Sequence, residues 1–181
     1  MPLHPASKGF IMKALATVLT ALVTFVSSLS LGWAGSLPAP KEKPILEITG
    51  SITSTNKEGA AVFDREMLES LGMETITTTT PWHKGQVTFE GVAMAKVMDL
   101  VGAKGKTVKA LALNDYATQI PMEDFAKFGV ILALKRDGEY MPVRDKGPLF
   151  IVYPYDSKPE LKSQTYYGRS AWQLKRLEVT E

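Results

Sequence analysis

After residue 44 the hydrophobic pattern changes repeatedly between helical and strand spacing, which predicts a domain built from short elements. Three segments carry apolar residues at helical spacing and each ends at a glycine: residues 65–71 before Gly72, residues 94–101 before Gly102, and residues 121–128 before Gly129. Asp64 stands where an N-cap is expected, and Pro121 fits the first turn of the third helix. Glycine just past the last turn is the usual helix stop.

Strand-like runs lie between these helices and outnumber them. They alternate apolar and polar residues, are rich in β-branched residues, or form short buried apolar runs: residues 45–52, 73–80, 86–90, 107–113, 116–120, 130–134, 149–153 and 172–179. Residues 153–169 contain few apolar anchors and are interpreted as a long loop, a feature that is often functional in a compact domain. The pattern predicts one α+β domain over residues 45–181, with a mixed sheet or barrel and short helices packed around it.

The start of the chain has the pattern of a secretory signal peptide. Lys8 and Lys13 precede an uncharged run over residues 14–31, and small residues stand before a cleavage site after Ala34. Residues 1–34 are therefore predicted to direct export, and a periplasmic location is expected. Residues 35–44, which contain three prolines, are interpreted as an extended lead-in to the domain.

Two alternatives remain for this first segment. Met12 offers a second start, which would leave a signal of Met12 to Ala34. The run over residues 14–31 is also marginally long enough for an uncleaved anchor, although its several hydroxyl residues and its cleavage site favour removal. After cleavage no stable membrane insertion is expected.

Charge and cysteine content exclude several functions. The chain has 21 Lys+Arg and 19 Asp+Glu, and removal of the signal takes two lysines and no acidic residue, so the exported domain is formally neutral. Neutrality argues against nucleic-acid binding. The complete sequence has no cysteine, which excludes disulfides, cysteine nucleophiles and thiolate metal sites.

Hydrolase and metal motifs are weak. No serine stands in a Gly-x-Ser-x-Gly motif, and His83 is the only histidine after signal removal, which supports neither a Ser–His hydrolase nor catalytic zinc. Asp137, Glu139 and Asp145 offer oxygen ligands, but they lack EF-hand spacing. A charged hairpin turn at Asp137-Gly138 is the preferred interpretation.

A series of short motifs in a fixed order resembles the oxidoreductase molybdopterin-binding domain of the sulfite-oxidase superfamily. The motifs are Phe-Glu-Gly-Val at 89–92, Asn-Asp-Tyr at 114–116, an apolar run at 130–134, Asp-Gly at 137–138, Gly-Pro-Leu-Phe-Ile-Val-Tyr-Pro at 147–154 and a closing strand at 172–179. The resemblance covers about residues 44–181 and implies the fold of that superfamily.

Three departures from the family pattern concern the cofactor. The resemblance places a molybdenum-ligating cysteine within residues 77–82, where this chain has four threonines, a proline and a tryptophan. Phe150 and Ala171 stand where cofactor-binding relatives commonly carry arginine and lysine. Molybdenum is held by soft sulfur ligands, for which a threonine hydroxyl is a poor substitute. No cofactor is therefore predicted, with molybdopterin kept as the alternative.

The candidate pocket is placed at the mouth that the resemblance implies. Its members are threonines, aromatic residues and cationic residues on loop-like segments: Thr79, Thr80, Trp82, His83, Lys84, Tyr116, Arg144, Tyr155 and Arg169. Tyrosine together with arginine is enriched at recognition surfaces. No catalytic residue and no metal ligand is predicted.

Three functions remain open. The first is a non-catalytic exported domain that binds a small anion or other small ligand, or an envelope protein. The second is a molybdopterin-dependent oxidoreductase that holds its cofactor without a cysteine ligand. The third is a plain structural protein of the envelope. Metal content separates the second from the others, and a bound ligand separates the first from the third.

Overall fold

Two five-stranded sheets with short helices form the part of the chain that the computed structural model describes, residues 36–181. The predictions for the signal peptide, Met12 and the membrane anchor lie outside these residues. The strands are β1 (Leu46–Gly50), β2 (Ala61–Phe63), β3 (Met73–Thr79), β4 (Gln86–Ala93), β5 (Thr107–Ala112), β6 (Ala117–Pro121), β7 (Ile131–Arg136), β8 (Glu139–Tyr140), β9 (Phe150–Val152) and β10 (Leu174–Thr180). The helices are α1 (Arg65–Glu69), α2 (Met94–Leu100), α3 (Glu123–Phe128) and α4 (Gln164–Arg169), with 3₁₀ turns at Val143–Asp145 and Pro159–Leu161.

The first sheet is mixed and the second is antiparallel. The strand order of the first sheet is β2-β1-β10-β5-β6, with β1 parallel to β10 and the other pairs antiparallel. The second sheet has the order β3-β4-β7-β8, and β9 pairs with β7. Neither sheet closes on itself, so the mixed-sheet prediction is confirmed and no barrel forms.

A short bridge joins the two sheets where β9 approaches the residues before β10. Phe150 pairs with Trp172, and Ile151 N donates to Ala171 O at 3.0 Å. Leu174 N donates to Leu149 O at 3.0 Å. Because β9 belongs to one sheet and β10 to the other, these bonds fix the sheets against each other next to the site described below.

The core lies between the sheets and the helices. Its largest fully buried side chains include Phe63, Phe89, Phe150, Ile48 and Leu132. Burial of such side chains supplies most of the stability of a domain without disulfides. No helix within residues 36–181 is long and apolar enough to span a bilayer.

A bulge at Gly91 explains the glycine in the Phe-Glu-Gly-Val motif. The register between β4 and β7 shifts between Glu90 and Gly91. A Cβ atom at Gly91 would overlap the backbone carbonyl of Leu132, so no larger residue fits without moving β7. The motif therefore has a packing reason independent of any cofactor.

Most predicted elements form, with two differences. Asp64 caps α1 as expected, accepting from Met67 N at 2.9 Å. Pro121 instead ends β6, and Met122 takes the N-cap position of α3. Residues 153–169 are not a continuous loop, because Leu161 is buried and anchors a 3₁₀ turn and α4 follows.

The lead-in is held against the domain. Leu37 is buried and its N–H donates to Thr55 O at 3.1 Å. Lys41 N and Glu42 N both donate to the Asp64 carboxylate, at 2.7 and 3.0 Å. The Asp64 carboxylate thus accepts hydrogen bonds from both the lead-in and α1. These bonds lower the pKa of Asp64, and the hydrogen bond from Met67 N is the largest cause.

Candidate functional site

An aromatic cleft of about 230 Å³ opens between the β3–β4 loop, the β5–β6 turn and α4. Eight residues line it, four of them aromatic: Trp82, Asn114, Tyr116, Gln164, Tyr167, Gly168, Ser170 and Trp172. None of the eight side chains carries a charge at neutral pH. The name aromatic cleft refers to this set below.

Edge-to-face packing fixes the Trp82 ring in the wall of the cleft. Its centroid lies 5.3 Å from that of Trp172, 5.5 Å from that of Phe150 and 5.9 Å from that of Tyr167, at interplanar angles of 64° to 73°. Such T-shaped pairs are the favoured arrangement of aromatic quadrupoles. The wall is therefore formed before any ligand arrives.

Tyr116 bridges the β5–β6 turn to α4. Its hydroxyl donates to Gly168 O at 2.7 Å, while its N–H donates to Asn114 Oδ1 at 3.2 Å. Asp115 adopts φ 63° between them, a conformation that aspartate tolerates better than most residues. These contacts place one tyrosine ring and one amide on the rim of the cleft.

A buried ion pair anchors α4 from behind. Arg169 Nη1 donates to Asp124 Oδ2 at 2.7 Å, and the Tyr153 hydroxyl donates to the same oxygen at 2.8 Å. Asp124 is 3% exposed. Burial, reinforced by the neighbouring carboxylate, raises the pKa of Tyr153, which stays a donor. Arg169 therefore points away from the cleft and positions its wall.

Tyr155 lies behind Trp82, with their ring centroids 6.2 Å apart. Its hydroxyl hydrogen-bonds the Ser170 hydroxyl, and Ser170 Oγ lies 2.7 Å from Tyr166 O. Because a carbonyl can only accept, Ser170 donates to Tyr166 and Tyr155 donates to Ser170. Burial raises the pKa of Tyr155. Tyr155 supports the wall and does not line the cleft.

His83 is held neutral in the β3–β4 loop. Its Nε2 lies 3.2 Å from Arg136 Nη1 and its Nδ1 lies 2.8 Å from Thr80 Oγ1. Arginine can only donate, so Nε2 accepts and Nδ1 carries the proton that it donates to Thr80. Arg136 also donates to Asp145 at 2.7 Å. Burial, and then the charge of Arg136, lowers the pKa of His83.

This tautomer has a chemical consequence. With its proton on Nδ1, His83 cannot accept a proton from the Thr80 hydroxyl, so the pair does not form a nucleophile and its base. The network is structural, and it links the β3–β4 loop to β7.

Thr79 is engaged with Asp156 on the segment that follows β9. Its N–H and hydroxyl donate to the two carboxylate oxygens at 2.7 and 2.6 Å, and Asp156 N donates to Thr78 Oγ1 at 3.0 Å. Lys162 lies 2.7 Å from the same carboxylate. The hydrogen bond from Lys162 and those from Thr79 lower the pKa of Asp156. These contacts tie the end of β3 to the segment before α4.

The nine candidate residues fall into four groups. Trp82 and Tyr116 line the cleft, and Tyr155 and Arg169 support its walls. Thr79, Thr80 and His83 order the β3–β4 loop. Lys84 and Arg144 are exposed on separate loops, and neither lines the cleft.

Sequence reasoning did not select five polar or aromatic lining residues as candidates: Asn114, Gln164, Tyr167, Ser170 and Trp172. Asn114 belongs to the Asn-Asp-Tyr motif, and Tyr167 forms a pair of tyrosines with Tyr166, so the sequence could have indicated both positions. Nothing in the local pattern distinguishes Gln164 or Trp172 from solvent-facing or core residues.

The sequence of the domain matches a known protein family. The family described as the oxidoreductase molybdopterin binding domain matches residues 63–180. The chain belongs to this family. A search of curated proteins finds no match to the chain.

The residues of this oxidoreductase molybdopterin-binding domain do not fit the cofactor for which its family is described. The whole sequence has no cysteine to supply a thiolate. Within residues 36–181 no cluster of three His, Cys, Asp or Glu residues is placed to hold a metal. The cleft has no charged lining residue for a phosphate, and its 230 Å³ falls below the roughly 300–1,000 Å³ of pockets that enclose a drug-sized ligand, so it leaves room only for a smaller molecule.

The two positions where the resemblance implies cationic residues are occupied by core residues. Phe150 is fully buried against Phe89 and Trp82, and Ala171 is fully buried beside the bridge between the sheets. A cation at either position would lose its hydration on burial. The scaffold of the domain is kept, while its cofactor chemistry is not supported by these residues.

Proposed function

We propose that this protein is an exported, non-catalytic member of its family that binds a small, uncharged ring compound in the aromatic cleft. The observation that carries the proposal is a cleft whose walls are four preorganised aromatic rings and whose lining bears no charge. Such walls favour a flat apolar face and give a charged group no counter-ion. Of the two kinds of small ligand expected from the sequence, an anion or another small molecule, this lining favours a neutral molecule.

Two amides supply the polar part of recognition. Asn114 and Gln164 are exposed at the rim, and neither amide nitrogen donates a hydrogen bond within the described residues, 36–181. A few placed polar groups among apolar walls are the usual arrangement of a binding pocket. They suit a ligand with hydrogen-bonding groups along its edge.

A binding role is supported by the chemistry of the site. Thr80 lacks a base, because His83 presents its protonated nitrogen to the hydroxyl. Tyr155 and Tyr153 have raised pKa values and donate within the protein, so neither acts as an acid near neutral pH.

A periplasmic location is part of the proposal, supported by the basic start, the uncharged run and the small residues before Ala34. An envelope protein docking at the mouth of the cleft is a second possible occupant. Family membership favours one further candidate, a molybdopterin-dependent oxidoreductase that holds the cofactor without a cysteine.

The first experiment measures molybdenum and pterin in the protein purified from the periplasm of a cofactor-competent host. Molybdenum is read by mass spectrometry and pterin by fluorescence after oxidative release. Neither should be found. Near-stoichiometric molybdenum or pterin would overturn the proposal in favour of the oxidoreductase.

The second experiment detects binding through tryptophan fluorescence. The chain has three tryptophans, and after cleavage following Ala34 the two that remain, Trp82 and Trp172, both line the cleft. Small-molecule fractions of the host periplasm should change this fluorescence, and Gln164→Ala should weaken the effect. Gln119→Ala, an exposed glutamine outside the cleft, is the matched control. A protein that responds to no fraction, or a Gln164→Ala variant that responds normally, would contradict the proposal.

A further inference from the structure

A second concavity, lined mainly by apolar residues, lies on the first sheet beside the β5–β6 turn. Its volume is about 590 Å³, within the range of small-molecule sites. Twelve residues line it, eight of them apolar: Lys43, Pro44, Ile45, Leu46, Glu47, Lys57, Val62, Leu113, Val143, Pro148, Leu174 and Lys175. This set, called the lysine-rimmed groove, shares no residue with the aromatic cleft.

The groove brings two strongly exposed apolar side chains together in one concavity. Five large apolar residues within residues 36–181 are exposed, and two of them, Leu113 at 46% and Val143 at 51%, line this groove. Side chains of this kind cost free energy in water unless something covers them. Clustered exposure in a concavity is typical of a binding site.

The rim of the groove is positively charged. It carries three lysines against one glutamate. Lys57 lies 3.4 Å from Glu47 and Lys175 lies 3.2 Å from the mostly exposed Asp115, distances typical of weak surface pairs that a ligand can replace. Lys43 forms no ion pair within residues 36–181. An apolar floor with a cationic rim complements a molecule that has an apolar chain and an anionic end.

The backbone around the groove argues against an extended peptide as the occupant. Pro44 and Pro148 have no N–H, and Ile45 N already donates to Phe63 O at 2.8 Å. Asn56 closes the edge of β2, bonding both Val62 N and Val62 O at 2.8 Å. A strand added here would bury its own N–H and C=O groups without partners, at a large cost. An alkyl chain has no such groups.

Size argues against a large protein interface. A stable protein partner usually contacts about 20–30 residues on each side. Twelve residues line this groove. A single-chain ligand matches that extent better than a folded partner.

We propose that the lysine-rimmed groove binds a single-chain amphipathic carboxylate, such as a fatty-acid anion. The alkyl chain lies along the apolar floor against Leu113 and Val143, and the carboxylate lies at the rim near Lys43. The proposal does not depend on the function proposed for the aromatic cleft.

Isothermal titration of the exported protein with decanoate at low ionic strength tests the proposal, with decanol as the uncharged probe. Decanoate should bind, and added salt should weaken its binding because the rim is exposed. Decanol should bind less tightly, and its affinity should not depend on salt. Absence of decanoate binding, or equal affinity for the two probes, would overturn the proposal.

Two variants locate the binding site. Val143→Asp places a carboxylate in the apolar wall and should weaken decanoate binding by about tenfold or more, because a charge is costly to cover with an alkyl chain. Lys43→Glu should weaken decanoate binding about threefold, the scale of an exposed ion pair, and leave decanol unaffected. The controls are Met73→Asp, at an exposed apolar residue outside the groove, and Lys104→Glu, at an exposed lysine outside it.

Val143 and Lys43 are both exposed, so the two variants should still fold. Melting temperatures equal to that of the unaltered protein would confirm this. Normal decanoate binding by Val143→Asp would contradict the placement. Equal losses in Met73→Asp and Val143→Asp would show nonspecific binding and also refute it. Tryptophan fluorescence reports on the aromatic cleft, because Trp82 and Trp172 line the cleft and not the groove, so decanoate should leave it unchanged.

Discussion

Arg169 donates to Asp124 at 2.7 Å, and this contact joins α4, which carries one wall of the aromatic cleft, to α3. The aspartate is almost fully buried, while the arginine side chain remains 23% exposed. Tyr153, the residue that follows β9, completes the network by donating to the same carboxylate. The position of the cleft wall therefore depends on a charge pair that lies behind it.

Breaking this pair should destabilise the domain. Asp124→Asn leaves Arg169 without its counter-charge, and we expect the free energy of unfolding to fall by about 2–3 kcal/mol, below the usual cost for a fully buried pair because the arginine reaches solvent. Tyr153→Phe keeps the pair and removes one hydrogen bond, for a loss of about 1 kcal/mol. Urea denaturation measures both. An Asp124→Asn variant as stable as the unaltered protein would show that the pair does not anchor α4.

Stability should fall on mild acidification because of His83. Its pKa is lowered in the folded protein, so the unfolded chain takes up a proton first as the pH drops below the ordinary value of about 6.5. The contribution of neutral His83 is complete above that pH and decreases as the pH falls toward the folded-state pKa. Unfolding free energies of the protein and of His83→Gln between about pH 5 and 7.5 should differ in slope, with the variant flatter. Parallel curves would contradict the burial of a neutral His83.

Asp156 should control local opening of the β3–β4 hairpin. Asp156→Asn removes the charge that attracts Lys162 and weakens the acceptors for Thr79, so the Thr79 amide should exchange with solvent faster. Hydrogen exchange followed by mass spectrometry measures the peptide that covers the end of β3. Asp115→Asn, at another exposed aspartate in an ion pair, should leave that peptide unchanged. Since the pKa of Asp156 is lowered, its contribution is present above the ordinary aspartate pKa and is lost as the pH falls below it.

Restoring one cysteine should not restore the metal. Thr79→Cys and Thr80→Cys place a thiol where the resemblance implies the family's cysteine, yet the cleft still lacks a charged residue for a phosphate, and the buried Phe150 and Ala171 still stand where the resemblance implies cations. We expect no molybdenum by mass spectrometry after expression in a cofactor-competent host. Stoichiometric metal in either variant would show that the missing thiolate is the only barrier. Serine variants at the same positions control for the altered loop.

The amino-acid sequence by itself determined much of the local structure. Asp64 before an apolar helix face and Gly129 after another specified the ends of α1 and α3, because caps and left-handed glycines act within one turn. Period-two alternation specified most strands. The short β2 and β8 were not predicted, because three and two residues are too few to show a period. Absence of cysteine, a property of composition, removed thiolate chemistry at once.

Only the tertiary structure decided how these elements meet. Trp82, Asn114 and the segment that carries Gln164 and Trp172 are far apart in sequence, and they share a cleft because β9 and β10 join the two sheets beside α4. Sequence reasoning placed Arg169 in the pocket, since an arginine on a loop usually faces solvent or a ligand. Its partner Asp124 is buried on another helix, and that long-range pairing turns the guanidinium away from the cleft. Local propensity fixes where a strand or helix begins and ends, whereas the direction of a charged side chain depends on a partner that only the folded chain brings near.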